Sequence, residues 1–430
     1  MPKGLDPAAL NARGIELAQK DPAGACWRFA KAAELGDSLG MYHLGVLAAG
    51  EEDIAEARRW YLKAAELGNT DAMNNLGVVS RDAGDTAEAR RWFRKAAELG
   101  NSRSIHNLGV LAMDEGDPAQ ARQWYLKAAE LGNPEAMKSL GVLLDGKDPA
   151  QARQWYLKSA ELGNRDAMTN LGVMLRDGGN LAEARHWLLA AAEFGHSHAM
   201  YNLGVVMEEQ GDPAEARRWY RKAADLGNAE AMNNLAILSR DNGDIAEARR
   251  WFMPAAELGN TAAMNNLGDL LNDEDPAAAR GWFAQAAELG NTDAMTNLGR
   301  SLWNENLAEA RRWFFHAAEL DHPAAMTMVG YLFQADGDLS QARQWYLKAA
   351  ELGDADAMCQ YGMLLMEEEP PAEVTILQWI ERAAMLGNTT AMTIMGLWSQ
   401  EAGDLASARR WMTRAADLGN QDAIAALAEL

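Results

Sequence analysis

Two strings in this chain spell motifs with a known chemistry. Gly36-Asp37-Ser38-Leu39-Gly40 has the spacing of a nucleophile elbow, in which a sharp strand-to-helix turn exposes a serine for acyl transfer. Gly141 to Lys147 has most of a phosphate-binding loop, whose backbone N–H groups would cradle an anion. Context rejects both. The serine string lies between two predicted helices, and Asp148 stands where the second motif needs the Ser or Thr that holds magnesium. Neither His-Glu-x-x-His nor a kinase motif set occurs. His196 and His198, with His186 nearby, are the one tight histidine group, and they fall in a predicted loop without a third ligand in sequence. No catalytic residue, metal site or cofactor is expected.

A more regular feature is a row of asparagines: Asn75, Asn107, Asn170, Asn202, Asn234, Asn266 and Asn297, interrupted at Ser139. A carboxamide both donates and accepts, so a row of them can hold the backbone of an extended peptide whatever its side chains. It can equally fasten neighbouring helices, and the two readings stay open at this stage. Beyond Asn297 the corresponding positions become Met328, Gln360 and Ile394. The position after the following glycine, Val78 or Val110 earlier, becomes Asp269, Arg300, Tyr331, Met363 and Leu397. Trp303 lies one helical turn beyond Arg300 on the same face. Aromatic, Met and Arg residues are usual anchors of an interface, so Arg300, Trp303, Met328 and Tyr331 join the asparagines as candidate binding residues. Trp303 is expected to matter for a partner and little for stability, because it is outside the repeated framework.

That framework is an internal repeat. Tryptophan recurs at Trp60, Trp92, Trp124 and onward to Trp411 with a mean step of (411 − 60)/11, about 32 residues, the period of a helical solenoid. Each unit reads as two helices. In the unit from Gly68 to Leu99 the first carries Met73, Leu76 and Val79 on one stripe, with Gly77 where a neighbour must come close. Asp85 then caps a second helix and Glu88 completes a capping-box-like pair. The second helix, Thr86 to Leu99, places Ala89, Trp92, Phe93, Ala96 and Leu99 on one face and ends at Gly100, suited to a left-handed cap. The tryptophans are expected to be the large pieces of the core. An Arg stands two places before the tryptophan in eleven of twelve units, Leu377 being the exception, and is expected to pair with acids on an adjacent turn or unit.

These residues resemble a known family. Ala72-Met73-Asn74-Asn75-Leu76-Gly77, followed by Ala89-Arg90-Arg91-Trp92-Phe93-Arg94-Lys95-Ala96-Ala97-Glu98-Leu99-Gly100, is similar to Sel-1-like repeats, relatives of the tetratricopeptide repeat, over essentially the whole chain. The turn between helices is shorter than in the usual Sel-1-like unit. The resemblance implies a right-handed superhelix whose first helices line a concave groove, and a role in holding protein partners together. In tetratricopeptide relatives, asparagines at the matching position grip a peptide or its C-terminal carboxylate. The fold expected is therefore an all-α, right-handed α-solenoid of about 13 helix-turn-helix repeats and roughly 27 helices, one continuous domain over 1–430. Residues 1–36 form a degenerate first repeat, 37–419 the array, and 420–430 a C-terminal cap in which Ile424, Leu427 and Leu430 close the last unit or dock another copy. Pro370-Pro371 marks the one long step and a break in cooperativity.

Composition bounds the function. The 430 residues carry a net charge of −22, which opposes binding to nucleic acid or an anionic membrane surface. Two cysteines far apart, Cys26 and Cys359, exclude a disulfide framework within the chain and fit a reducing compartment. Neither a signal-peptide core in Met1 to Gly14 nor a membrane-length apolar run is read, so a soluble cytoplasmic protein without membrane insertion is expected. Arg outnumbers Lys 29 to 11, an association with GC-rich bacterial genomes. The function expected is a non-catalytic scaffold or adaptor binding a protein or peptide partner in the groove. The alternative is a regulatory or hydrolase activity on a cell-wall-related substrate, as assigned to some Sel-1-like proteins, although the paired cysteines of those secreted relatives are missing here.

Overall fold

The computed structural model describes residues 6–367 and 373–427. Within them the chain is an all-α solenoid of paired helices, with 27 helices among the described residues and no strand. Two compact units appear, one ending at Ala223 and the other beginning at Ala224. In the N-terminal unit the first helices are α1 (Pro7–Leu17), α3 (Ser38–Gly50), α5 (Thr70–Asp82), α7 (Ser102–Asp114), α9 (Pro134–Leu144), α11 (Arg165–Asp177) and α13 (Ser197–Glu209). They alternate with the second helices α2 (Pro22–Glu34), α4 (Ile54–Glu66), α6 (Thr86–Glu98), α8 (Pro118–Glu130), α10 (Pro149–Glu161), α12 (Leu181–Glu193) and α14 (Pro213–Asp225), the last of which carries the boundary. The C-terminal unit continues with α15 (Ala229–Asp241), α17 (Thr261–Leu271), α19 (Thr292–Leu302), α21 (Pro323–Ala335), α23 (Ala355–Met366) and α25 (Thr389–Glu401) as first helices. Its second helices are α16 (Ile245–Glu257), α18 (Pro276–Glu288), α20 (Leu307–Glu319), α22 (Leu339–Glu351), α24 (Glu373–Met385) and α26 (Leu405–Asp417), and α27 (Gln421–Leu427) follows. Pro370-Pro371 and Leu430 lie outside the described residues. In α27, Ala423 is buried and Ile424 exposed.

The core differs from the sequence expectation in one systematic way. The framework tryptophans are half-buried, and only Trp92, at 9% exposure, counts as buried. The residue after each tryptophan fills the space between paired helices instead: Tyr61, Phe93, Tyr156, Tyr220, Phe252 and Phe314 are each 3% exposed or less. A step of one residue turns a helix by about 100°, so Phe93 shares the inward face with Ala89, Ala96 and Ala97 while the neighbouring indole is swung to its edge. The framework glycines make room for this second ring. A Cβ on Gly77 would stand 2.4 Å from Phe93 Cε1, and one on Gly204 the same distance from Tyr220 Cε1. Close approach at these glycines is therefore the reason for their recurrence. In six of the twelve units a Lys one turn on covers the indole: Lys63 Nζ lies 4.2 Å from the Trp60 ring centre, Lys158 4.5 Å from that of Trp155 and Lys222 3.8 Å from that of Trp219.

Leu99 is also misplaced by periodicity alone. It is the C-cap of α6 and 60% exposed, and Leu67, Leu131 and Leu162 repeat the arrangement. The chain leaves the helix there, so the helical wheel no longer applies. Gly100 takes φ 84°, as a left-handed cap requires, and Asp321 holds the same conformation with φ 60° where the glycine is absent.

Capping positions each helix pair. Asp85 Oδ1 accepts from Glu88 N at 2.8 Å, and Asp117 and Asp148 cap helices that open on proline. The capping box is one-sided, however. The Glu88 carboxylate accepts from Ser80 Oγ at 3.0 Å and from Arg58 of the preceding repeat at 2.8 Å. The arginine stripe pairs in this way along the array: Arg153 reaches Glu183 at 3.0 Å, Arg280 Nη2 reaches Glu305 at 3.0 Å and Arg311 reaches Asp336 at 2.8 Å. Three repeats are 31 residues long because their first helices α9, α17 and α19 end two residues early. Their caps Asp145, Asn272 and Trp303 stay in the right-handed region, without the left-handed glycine, such as Gly84, that the other turns use.

Candidate functional site: the exposed face of the first helices

On α5, residues 71, 75, 78 and 82 fall within about 60° of one another around the helix axis, opposite the buried Met73, Leu76 and Ser80. This face carries the asparagine row, whose members are all half-buried. Much of their bonding runs within the array. Asn107 Nδ2 donates to Asn74 Oδ1 at 3.0 Å and Asn266 Nδ2 to Asn233 Oδ1 at 3.0 Å, each bond joining consecutive repeats. Asn297 donates to Asn265 at 3.0 Å and to Asp269 at 3.2 Å. Asn202 accepts from Arg176 at 3.0 Å and donates to the His198 carbonyl at 2.8 Å. Asn75 and Asn234 accept from the adjacent Asn74 and Asn233 at 3.4 and 3.3 Å. Asn170 shares a hydrogen bond with Tyr156. A carboxamide has two N–H groups and two lone pairs, so these bonds leave capacity on the exposed side.

A second row of asparagines escaped the sequence analysis. The residue after the C-terminal glycine of a second helix commonly caps the next first helix, and in several repeats it also reaches back to the preceding one. Asn101 Oδ1 accepts from Ser104 N at 2.9 Å while its Nδ2 donates to Asp71 at 3.1 Å; Asn164 does the same with Ala167 N at 2.8 Å and Glu135 at 2.6 Å. The recurring Leu-Gly-Asn string was the available signal, and a cap that also bridges repeats is not visible in a one-dimensional pattern. His196 and His322 occupy two of these positions. His196 bonds Thr169 at 3.1 Å and Asp166 at 3.2 Å, and His322 bonds Thr296 at 3.1 Å and Asp293 at 2.9 Å. Both ring nitrogens of His196 thus hold repeats together, although its ring lies 5.8 Å from that of His198. Among the described residues no group of three His, Cys, Asp or Glu is placed to hold a metal ion.

In the C-terminal unit the same face changes character. Arg300 is exposed and makes no ion pair among the described residues. Trp303 is half-buried, its ring edge-on to Phe314 with centroids 5.8 Å apart, because the early end of α19 turns it toward α20. It therefore packs on the core, contrary to the expectation that it stands apart from the framework. Tyr331 is likewise edge-on to Tyr346 at 5.6 Å, with burial and then the Asp356 carboxylate raising its hydroxyl above the usual tyrosine range. Met328 is half-buried one turn before it. Burial raises Asp269 above the usual carboxylate range, against the pull of Arg240 and Arg300. The Cys359 thiol is pushed up to about 11 by burial, which makes it a poor nucleophile. An open depression of about 620 Å³ lies elsewhere, on α20, lined by Arg311, Arg312, Trp313, Phe315 and His316. Ser38 of the elbow-like string is simply the first residue of α3, capped by Asp37, and Gly141 is a helical glycine under Tyr156. No helix among the described residues is long and apolar enough to cross a membrane.

Comparison with known proteins agrees with this geometry. The Sel1 repeat profile matches residues 38–69, 103–133, 134–164, 197–228, 261–291, 292–322, 323–354, 377–388 and 394–420. A tetratricopeptide repeat profile matches 70–100, 164–195 and 228–259. No curated protein matches the chain at a significant level. Among solved structures, c5321, described as a protective antigen of uropathogenic Escherichia coli with an SLR fold, is 29% identical with a TM-score of 0.58, over 88% of this chain and 92% of that one. A Sel1 repeat protein from Oxalobacter formigenes is 25% identical with a TM-score of 0.49, over 70% of this chain and 95% of that one. Since the Sel1 profile alone covers more than half of the residues, this chain belongs to the Sel1 repeat family.

Proposed function

We propose that the chain is a non-catalytic scaffold that holds a protein or peptide partner on the exposed face of its first helices. The asparagines supply backbone contacts, and Arg300, Trp303, Met328 and Tyr331 supply side-chain recognition. One observation carries this reading. The core positions stay apolar through α19 and α21, with Phe314 and Tyr346 packed beneath them, while the outward positions become Arg300, exposed and without an ion pair among the described residues, beside half-buried rings. Edge contacts with core aromatics fix the Trp303 and Tyr331 rings, so little side-chain entropy is lost when a partner covers them.

The test is selection of binding peptides from a display library on the full chain, followed by affinity measurement against variants. Tyr331→Ala and Trp303→Ala are expected to weaken selected binders by roughly 2 kcal/mol, as interface aromatics do. Arg312→Ala, on the second helix α20, should leave them unchanged. Binders indifferent to Arg300, Trp303, Met328 and Tyr331 but sensitive to Arg312 would move the site to the other side of the array.

A further inference from the structure

The first helices of the N-terminal unit differ from their partners in charge: they are acidic where the second helices are balanced. From α5 to α13, first helices with their C-caps Glu115 and Asp145 carry ten carboxylates against five Lys and Arg. From α4 to α12, second helices with their N-caps Asp53, Asp85, Asp117 and Asp148 carry twelve Lys and Arg against twelve carboxylates. The acids on the first helices are not scattered. One row, Asp82, Asp114, Asp145, Asp177 and Glu209, runs along their C-terminal ends, and every member is exposed. Along their N-terminal ends on the same face stand Asp71, Glu135 and Asp166, with Arg103 and His198 at the matching positions of α7 and α13. Between them lie the asparagines and a row of valines, Val78, Val110, Val142, Val173 and Val205, of which Val142 is 57% exposed. The face is therefore a neutral strip with amide and small apolar groups, edged by carboxylates in every repeat on one side and in three of the five repeats on the other.

Local cations offset part of that charge. Arg81 pairs with Asp82 at 3.0 Å, Arg176 with Asp177 at 2.8 Å, and Lys138 spans Glu135 at 2.8 Å and Asp166 at 3.0 Å. Asp114 has no ion pair among the described residues, and the acids still outnumber the cations two to one. On the second helices the Lys side chains lie over indoles and the Arg side chains meet carboxylates of the next repeat, so that side is close to neutral and the first-helix side draws a cation.

We propose that this face docks an extended, basic polypeptide segment, in which small apolar side chains cover the valine strip, the asparagines bond the backbone, and Lys or Arg side chains reach the carboxylates at its edges. The proposal rests on the first-helix face being the docking face and adds the chemistry of the partner. An anionic ligand, including a free peptide carboxylate, would enter a repelling field here.

Three synthetic peptides of equal length, alternating Val with Lys, with Gln or with Glu, test it on the full chain by calorimetry. The Lys peptide should bind, with affinity falling about tenfold between about 50 and about 250 mM salt as exposed charges are screened. The combined change Asp82→Asn, Asp114→Asn and Asp177→Asn should weaken it about tenfold or more. The same charge change on second helices, Glu66→Gln, Glu98→Gln and Glu130→Gln, all at exposed positions, should leave it within about twofold, with thermal unfolding confirming that both variants fold. Equal loss in the two variants would overturn the location. Tighter or equal binding of the Gln or Glu peptide, lost in the first-helix variant, would overturn the basic partner while the docking face stands. If no peptide of any charge binds, the docking face of this unit falls as well.

Discussion

The first-helix face of the N-terminal unit and that of α19 and α21 in the C-terminal unit rest on one framework and present different chemistry. In the first, α5 to α13 each carry a valine followed by a terminal acid, with an asparagine before the valine in all but α9. In the second, Asn297 gives way to Met328, and the valine position holds Arg300 and then Tyr331. Behind both, a buried aromatic ring lies on a glycine: Phe93 on Gly77, Phe314 on Gly299. A solenoid repeat separates these tasks because inward and outward residues lie on different sides of one helix, and each repeat contacts only its neighbours. Drift of the outward set costs the array little, whereas the inward set is constrained by packing.

If that separation holds, the inward ring should matter equally in both regions. Phe93→Ala and Phe314→Ala should each cost about 3–5 kcal/mol, read from urea unfolding of the full chain. A much smaller loss at Phe314 would show that the framework itself has relaxed in the second region. Next in size are Gly77→Ala and Gly299→Ala, whose added Cβ would meet ring carbons at 2.4 and 2.6 Å. Overpacking of this kind costs about 1–3 kcal/mol, and the midpoint shift should be similar for the two. Half-buried indoles should count for less than the rings beside them. Trp219→Ala is expected to lose roughly half of the 3–5 kcal/mol that a fully buried aromatic such as Tyr220 would lose, and Trp303→Ala a comparable amount through its contact with Phe314. Equal losses at Trp219 and Tyr220 would restore the tryptophan as the principal core residue.

Smaller still are the asparagines. Asn107→Ala and Asn266→Ala each remove one bond between repeats and should cost about 1 kcal/mol, while single changes should alter peptide affinity only slightly. A large affinity loss without any change in stability would make them ligand groups first. The smallest effect is a pH dependence confined to the N-terminal unit. Burial holds the His43 and His106 imidazoles below the ordinary histidine range. The unfolded chain then binds protons that the folded chain does not, so stability falls as pH drops through about 6.5 and is fully present above it. Replacing His106 with Gln should flatten that slope, and an unchanged slope would assign it to other groups.

The repeat, the helix pairs, the aspartate caps, the arginine pairing and the recurring close-approach glycines were all legible in the chain, because each is a local or strictly periodic signal. The identity of the core ring was not. Trp155 and Tyr156 are adjacent and both aromatic, and sequence alone does not say which is the core ring; only the packed pair of helices decides that Tyr156 fills the gap over Gly141 while the indole stays at the edge under Lys158, 4.5 Å from its ring centre. Leu99 failed for a related reason, since a helical wheel cannot say where the helix stops. Most of the candidate site was visible as types and spacing. What the asparagines bond, and that Trp303 turns inward at the early end of α19, depended on which atoms of the next repeat came within hydrogen-bonding or van der Waals reach. Charge is the intermediate case. The count of −22 belongs to the sequence, but its division into an acidic first-helix face and balanced second helices emerges only when every second helix is set on the same side of its unit, since electrostatic fields sum over space and not along the chain.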